Sequence, residues 1–218
     1  MSNFYCGWCP VTFVSAQGWK VKVDFTASDI THMRTHTLGK KQPLFRALGV
    51  EKGISHILDA SAGLGGDLFK ISCMGLKVSA YERNPYVFAL LADGYLRGLQ
   101  WAETNGDNEL LAALQRVDLH WGNAEEGLAE FPGQAIFFDP MFPPKAKGAL
   151  SGKEMQALHD LCGEVDLEAQ KEELRTFLQS SSAQRLIVKQ PLKAQPLMAG
   201  VNHSFKGKSL RYDLYVIN

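Results

Sequence analysis

Cysteine is scarce in this sequence, and only two of its copies lie close together. Four cysteines occur among 218 residues, which argues against the disulfide framework of a small secreted protein. Cys6 and Cys9 have the C-x-x-C spacing of zinc and redox sites. A structural zinc ion takes a full set of tetrahedral ligands, and no second C-x-x-C or C-x-x-H pair follows. We therefore predict two incidental thiols and no metal site, unless a partner chain completes one.

An excess of one charge is also absent, as are long apolar runs. Lys and Arg together number 23, as do Asp and Glu, so the formal net charge is zero. The molecule as a whole does not attract polyanions, and any nucleic-acid contact must be a local basic patch. No window approaches the ~20 apolar residues that span a bilayer, and the start lacks a basic region followed by an apolar run. We expect a cytoplasmic protein.

No internal repeat or low-complexity tract divides the chain, but the pattern of its elements changes near residue 49. Alternating apolar residues over 11–25 predict a β-hairpin with its turn at Gln17 and Gly18, before a polar connection and a short helix over 43–48. From there on strands alternate with helices, which predicts an α/β fold of the Rossmann-like kind, a mostly parallel sheet flanked by helices. We expect an amino-terminal extension over 1–48 and the main domain over 49–218.

The strands and helices of the main domain follow from its apolar pattern. A helix is expected to begin at Pro85 after the cap Asn84, and Gly94 and Gly98 are expected to weaken it. Strands are expected at 54–60, 77–81, 118–121, 135–138, 186–189 and 210–217. A second helix over 166–180 is expected to bury Leu167, Leu174, Phe177 and Leu178.

A glycine-rich turn over 59–67, D-A-S-A-G-L-G-G-D, follows the first of these strands. Nucleotides bind at this place in doubly wound folds, although a tight turn without a ligand stays open at this point. The third glycine of G-x-G-x-x-G is missing, since Leu68 stands there, and Asp67 would repel a pyrophosphate by roughly 1 to 4 kcal/mol. S-adenosylmethionine has an ammonium and a sulfonium but no phosphate, so it fits better. The candidate cofactor-binding residues here are Asp59, Gly63, Gly65, Gly66 and Asp67.

Polar residues also follow the next two strands. Glu82 stands where an acidic side chain can accept hydrogen bonds from both ribose hydroxyls of an adenosine. Gly122 and Asn123 can contact the adenine edge, although an Asn in such a loop is commonly a turn former. The position of Glu82 beside the glycine turn, in one βαβ unit, favours a function over a solvated surface residue.

Residues 137–144, F-F-D-P-M-F-P-P, place an acid, a rigid turn and an aromatic at the end of an apolar strand. This combination points to methylation of an exocyclic base amine. The lone pair of such an amine is delocalised into the ring, so an enzyme must hold its hydrogens with acceptors that turn the lone pair toward the methyl donor. Asp139 and the carbonyl of Pro140 can accept these hydrogens and stabilise the developing positive charge. Phe142, expected to be exposed, can stack on a base that has left its helix.

The D-P-M-F run resembles the D/N-P-P-Y/F/W loop of amino-directed methyltransferases, with Met141 in place of the second proline. Together with segments 59–67, 82–85, 188–189 and 211–215, it is similar to the bacterial ribosomal small-subunit RNA methyltransferase J family. The similarity extends from about Val21 to the end of the chain. It implies a class I methyltransferase fold, with the methyltransferase domain over 49–218, and formation of N2-methylguanosine in small-subunit rRNA.

The same resemblance implies a set of cofactor-binding residues. Gly66 departs from the family pattern, in which an arginine precedes the acid, and this departure is expected to alter contacts with the cofactor. The residues implied to bind S-adenosylmethionine are Gly66, Asp67, Glu82, Arg83, Gly122, Asn123 and Asp139.

Basic residues follow several strands on the edge that carries these motifs. Any single surface lysine is best explained by solvation, but as a set they favour a polyanionic partner such as small-subunit rRNA or the small ribosomal subunit. The candidates for phosphate contacts are Lys145, Lys147, Lys153, Lys189, Lys193, Lys206, Lys208 and Arg211.

Two other classes of function compete with rRNA methylation. The same loop chemistry can methylate a DNA adenine or a protein glutamine amide. The second class is a non-catalytic RNA-binding module that has kept a cofactor-binding fold. Asp139 and Phe142 argue against it, because binding alone needs no acceptor beside a methyl donor.

Overall fold

A sheet of seven strands forms the centre of the part of the chain that the computed structural model describes, namely residues 9–15, 18–27, 39, 42–129, 131, 134–142, 160–163 and 165–217. An antiparallel pair, β1 (Phe13–Val14) and β2 (Lys20–Val21), precedes it. The sheet strands are β3 (His56–Asp59), β4 (Lys77–Glu82), β5 (Val117–Trp121), β6 (Ala135–Phe138), β7 (Arg185–Pro191), β8 (His203–Lys206) and β9 (Leu210–Val216). The helices are α1 (Pro43–Leu48), α2 (Gly66–Cys73), α3 (Pro85–Asn105), α4 (Asn108–Leu114), α5 (Ala124–Gly127) and α6 (Leu167–Ser180), with a 3₁₀ turn at Val50–Lys52.

The strand order is β5-β4-β3-β6-β7-β9-β8. The first five of these strands are parallel, and β9 runs antiparallel to both β7 and β8. The chain moves outward from β3 to β5 and then returns to β6 on the other side of β3. The topological switch point, where open α/β sheets bind their ligands, therefore lies at the carboxyl ends of β3 and β6.

The predicted Rossmann-like fold is confirmed, and all six expected strands are present with small shifts at their ends. The strand β8 was not expected from its sequence. Its residues, H-S-F-K, are exposed or partly buried, because it forms the edge of the sheet. An edge strand of this kind lacks the apolar run that marks the central strands.

Helix α3 runs through Gly94 and Gly98 without a break. A Cβ atom on Gly94 would lie 2.5 Å from Cγ1 of Val23, and one on Gly98 would lie 3.3 Å from Cβ of Phe25. The two glycines thus form a groove in which the segment after β2 packs. Packing against this segment offsets the low helix propensity of glycine.

The pairing of Phe13 with Val21 confirms the amino-terminal hairpin. Val21, Val23 and Phe25 are buried as the alternation predicts, whereas Val11 is 46% exposed. The division of the chain between residues 48 and 49 stays a prediction.

In α6, Leu174 and Phe177 are buried as expected, but Leu167 is 38% exposed. Leu167 lies in the first turn, beside the cap Asp166, and the inward position of that turn is taken by Gln170. Among the described residues, no helix has the length and apolar character needed to cross a membrane. Cys9 is exposed with a free thiol, and Cys6 lies outside the described residues.

Candidate active site

The glycine turn after β3 contains three glycines with different tasks. Gly63 and Gly65 have φ angles of 56° and 86°, which favour glycine over other residues. A Cβ atom on Gly65 would lie 2.7 Å from Leu91, so close packing of α2 and α3 also requires this glycine. A Cβ atom on Gly63 would meet nothing nearer than 3.9 Å, and one on Gly66 would meet nothing within 4 Å. The turn therefore leaves open space over Gly63 and Gly66, as a bound cofactor requires.

The carboxylate of Glu82, at the end of β4, is anchored to this turn. Its Oε2 accepts a hydrogen bond from the amide of Gly63 at 2.9 Å, and its Oε1 accepts one from the amide of Asn84 at 2.8 Å. Burial raises the pKa of Glu82, while these amide bonds oppose the rise. Each carboxylate oxygen can accept a further bond, so Glu82 can bind a diol while it holds the turn.

A cluster of charges lies beside the turn, at the switch point. Nζ of Lys189 donates to Oδ2 of Asp67 at 2.5 Å and to Oδ2 of Asp139 at 2.7 Å. Nζ of Lys70 donates to the other oxygen of Asp67 at 2.8 Å. The side chain of Lys189 is only 17% exposed, so its predicted role as a phosphate contact is wrong. The parallel register pairs Phe138, the last residue of β6, with Val188 of β7, so the next residues of the two chain segments, Asp139 after β6 and Lys189 within β7, lie side by side.

These contacts set the ionisation of the cluster. Burial raises the pKa of Asp139 to about 6, although Lys189 opposes the rise. Burial would also raise the pKa of Asp67, but Lys189 and Lys70 hold it below its ordinary value. Burial alone would lower the pKa of Lys189, but the two carboxylates raise it. Because Asp67 is neutralised by lysines, it does not repel a pyrophosphate as a bare charge would, and the missing third glycine is the stronger argument against a dinucleotide.

Asp59 lies beneath the glycine turn and is 1% exposed. Its Oδ1 accepts a hydrogen bond from the amide of Ser61 at 3.0 Å, which shapes the first residues of the turn. Burial raises the pKa of Asp59 to about 8, so the group is largely neutral at pH 7. Direct contact between Asp59 and the cofactor stays a prediction.

The loop after β6 is tied to the glycine turn through Ser61. The amide of Asp139 donates to Oγ of Ser61 at 2.7 Å, and the next residue, Pro140, is buried. The side chain of Asp139 is 32% exposed. The loop thus places the Asp139 carboxylate at the switch point with one side open to a substrate.

Helix α6 holds the same loop from the other side. Nε2 of Gln170 donates to the carbonyl of Met141 at 2.9 Å, and the Gln170 side chain is buried. Phe142 is partly buried, not fully exposed as its loop position predicted. A ring that is partly covered by protein loses less freedom when a base stacks on it.

The remaining predicted cofactor residues lie at the ends of β4 and β5. The amide of Gly122 donates to the carbonyl of Glu82 at 3.1 Å, which joins the two loops. Asn123 precedes α5. The side chain of Arg83 is 62% exposed, with Nη1 3.5 Å from a carboxylate oxygen of Glu173. The structure therefore brings Glu82, Gly122 and Asn123 together next to the glycine turn.

Arg211 is not available for phosphate, which corrects its predicted role. It is 6% exposed, and its Nε donates to both carboxylate oxygens of Asp213, at 2.9 and 3.0 Å. Its terminal nitrogens donate to Gln190, to the carbonyl of Pro191 at the end of β7, and to carbonyls of the segment that follows β7. Arg211 therefore fixes that segment to β9.

Two of the predicted basic residues, Lys206 and Lys208, are exposed at the turn between β8 and β9. Because β9 runs antiparallel to β7, this turn lies at the same edge of the sheet as the switch point. Lys193 is exposed as well. Lys145, Lys147 and Lys153 lie outside the described residues.

The sequence did not predict three features of the site. These are the bridge that Lys189 forms between two carboxylates, the bond of Ser61 to the amide of Asp139, and the bond of Gln170 to Met141. Asp139 follows the predicted strand 135–138 and Lys189 ends the predicted strand 186–189, so adjacent parallel strands could have suggested their contact. Gln170 lies three residues after Leu167 and four before Leu174, a polar residue on the apolar face of a helix. Ser61 offers no signal beyond its place in the turn.

Comparisons with known proteins agree with this arrangement. Residues 13–217 match the family model described as "Putative SAM-dependent methyltransferase". The ribosomal RNA small subunit methyltransferase J of Saccharophagus degradans is 41% identical over 204 residues, which cover 88% of this chain and 74% of that protein. The protein of the same name from Bdellovibrio bacteriovorus is 35% identical over 202 residues, which cover 90% of this chain and 74% of that protein.

A solved structure shares the fold. The crystal structure of a SAM-dependent methyltransferase from Neisseria gonorrhoeae matches with a TM-score of 0.68 and 30% identity, over 93% of this chain and 76% of that one. At these identities the match extends to the family as well as the fold. The chain belongs to the ribosomal RNA small subunit methyltransferase J family of SAM-dependent methyltransferases.

Proposed function

We propose that this protein transfers a methyl group from S-adenosylmethionine to the exocyclic N2 amine of a guanine in small-subunit rRNA. The observation that carries the proposal is the position of Asp139: a carboxylate at the switch point, tied through Ser61 to the glycine turn and followed by Pro140 and Phe142. The names of the relatives, ribosomal RNA small subunit methyltransferase J, support rRNA as the substrate.

The residues around the turn fit S-adenosylmethionine. Gly63 and Gly66 leave space for it, Glu82 offers acceptors for the ribose hydroxyls, and Gly122 and Asn123 lie where the adenine would end. The bound cofactor supplies an electrophilic methyl group on a sulfonium, which leaves as a neutral thioether. No residue of the protein needs to form a covalent bond in this reaction.

The protein's own groups act on the target amine. Asp139 and the carbonyl of Pro140 accept the two amine hydrogens, which turns the nitrogen lone pair toward the methyl group. As the new N–C bond forms, positive charge develops on nitrogen, and the two acceptors stabilise it before the extra proton leaves. Phe142 stacks on the guanine and holds it in line.

A basic edge supports a nucleic-acid substrate in place of a protein one. Lys206 and Lys208 are exposed at the edge that carries the switch point, where they can contact phosphates on either side of the target nucleotide. We extend the same role to Lys145 and Lys147, which follow the D-P-M-F loop in the sequence.

The test is transfer of labelled methyl to purified small ribosomal subunits, naked small-subunit rRNA, duplex DNA and a glutamine-containing protein substrate, followed by nucleoside analysis. We expect N2-methylguanosine from one of the two ribosomal substrates, and no product with the Asp139→Ala protein. A methylated adenine in DNA, a methylated glutamine, or a product methylated on ribose or a ring carbon would overturn the proposal.

A further inference from the structure

Lys189 joins three elements of the site through one nitrogen. Its Nζ bridges Asp67, in the first turn of α2, and Asp139, at the end of β6, while its own backbone lies in β7. Its side chain is 17% exposed, against 32% for Asp139. Among the described residues, Lys189 is the side chain that donates to the Asp139 carboxylate.

We propose that Lys189 is a positioning residue for methyl transfer: by binding Oδ2 of Asp139 it fixes the carboxylate as an ionised acceptor and leaves Oδ1 for the target amine. This inference rests on the proposed function, because it assigns Lys189 a task through Asp139. It also explains why a buried lysine is placed between two carboxylates, when a surface position would serve a phosphate contact better.

The groups that face Asp139 come from four elements. Asp67 and Lys70 lie on α2, Asp59 on β3, Lys189 on β7, and the buried Tyr212 on β9. Burial and Asp67 both favour the neutral form of Asp139, whereas the two lysines favour its ionised form. A neutral carboxyl would present a proton where the target amine needs an acceptor. Without Lys189, only Lys70 among the described residues would oppose the effects of burial and Asp67. The neutral, inactive form of Asp139 would then be favoured at neutral pH.

Two other roles for Lys189 fit the geometry less well. A phosphate ligand needs access to solvent, and both carboxylates already occupy this ammonium. A general base needs a neutral amine, but Asp67 and Asp139 raise the pKa of Lys189, so it stays protonated at working pH. Holding Asp139 is the role that its contacts support.

The experiment compares wild type with Lys189→Met, Lys189→Arg and the matched control Lys70→Met in single-turnover methyl transfer to small-subunit RNA, across about pH 5 to 9. Lys70 is the appropriate control because it contacts Asp67 but not Asp139. Without substrate, ¹³C NMR of aspartate-labelled protein follows the Asp139 carboxyl, assigned with Asp139→Asn.

In wild type the rate should rise with pH, with a midpoint near the Asp139 pKa of about 6. Lys189→Met should move this midpoint upward by about two units, which lowers the rate at pH 7 by roughly tenfold and restores most of it near pH 9. The KM for RNA should stay within about twofold. Lys189→Arg should keep the wild-type midpoint, and Lys70→Met should move it less than Lys189→Met does.

A uniformly lower rate with the wild-type midpoint in Lys189→Met would show a merely structural role and overturn the inference. A raised KM for RNA at unchanged kcat would show a phosphate contact and do the same. If Lys189→Met does not fold, the neutral Lys189→Gln replaces it in both measurements. The NMR titration separates the two proposals: a wild type inactive on RNA refutes the proposed function, whereas an unmoved Asp139 titration in the variant refutes the role of Lys189.

Discussion

Replacing Glu82 with Gln tests whether the acid at the end of β4 holds both the glycine turn and the cofactor. The change keeps the size of the side chain but turns one acceptor oxygen into a donor NH₂. In the structure both oxygens face backbone amides, of Gly63 at 2.9 Å and of Asn84 at 2.8 Å. One of these amides must therefore meet another donor in the variant.

The expected magnitude follows from these contacts. An amide left without an acceptor in a partly buried place costs about 1 to 3 kcal/mol, and a charge-assisted bond to a ribose hydroxyl contributes a similar amount. We expect Glu82→Gln to weaken S-adenosylmethionine binding by roughly 1 to 3 kcal/mol, or about five- to hundredfold in Kd. Isothermal titration calorimetry measures the affinity, and thermal unfolding measures the accompanying loss of stability.

The matched control is Asn84→Ala. The Oδ1 of Asn84 caps α3 by accepting from the amides of Tyr86 at 3.0 Å and Val87 at 3.2 Å, and loss of such a cap costs about 0.5 to 2 kcal/mol of stability. This control should lose stability but keep its affinity for the cofactor. If wild type and Glu82→Gln bind S-adenosylmethionine equally well, the ribose does not lie at Glu82. The same conclusion follows if Glu82→Gln and Asn84→Ala lose equal amounts of affinity for S-adenosylmethionine.

Three further outcomes are expected. Phe142→Ala should leave the Kd for S-adenosylmethionine nearly unchanged in calorimetry but lower single-turnover methyl transfer, because it removes a stacking contact worth roughly 1 to 3 kcal/mol; an equal loss of cofactor affinity would contradict the assigned role. Asp59→Asn should unfold at a higher temperature than wild type at alkaline pH. The folded pKa of Asp59, about 8, lies above its ordinary 3.8, so its protonation stabilises the fold fully below 3.8 and this contribution is lost as pH rises toward 8. If the unfolding temperature of Asp59→Asn exceeds that of wild type by the same amount at pH 4 and pH 9, the protonation of Asp59 does not contribute to stability in this way. Gly94→Ala should destabilise the protein by about 1 to 3 kcal/mol in urea unfolding, since its Cβ would lie 2.8 Å from the carbonyl of Val23; a stabilised variant would show that the groove adapts freely.

Much of the fold could be predicted because the central strands are continuous apolar runs. Ile57, Ile136 and Leu186 are all fully buried, as strands covered on both faces must be. The acids that end two of these runs, Glu82 and Asp139, were predictable for the same reason. A charged residue at the end of a buried strand lies at the carboxyl edge of the sheet, because the two faces of the sheet are covered by apolar packing.

The partners of those acids were harder to predict, because they depend on register and packing. The sequence shows the basic residue Lys189 near the end of a predicted strand, but only the pairing of β6 with β7 brings it to Asp139. The sequence does contain a signal for the partner of Arg211: Asp213 stands two residues later in the same strand, hence on the same face, and can bind the guanidinium. Gln170 is recognisable as a polar residue on an apolar helix face, but its bond to Met141 follows from the path of a loop.

The groove formed by Gly94 and Gly98 limits how the protein can be shortened. A fragment that began at residue 49 would lose Val23 and Phe25 from this groove, together with the fully buried Leu48 of α1. The missing side chains would leave a concave apolar surface on α3, directly behind the glycine turn that packs on Leu91. Such a fragment would be prone to aggregation and poorly able to bind the cofactor, so the segment after the hairpin is part of what a soluble, active minimal enzyme must retain.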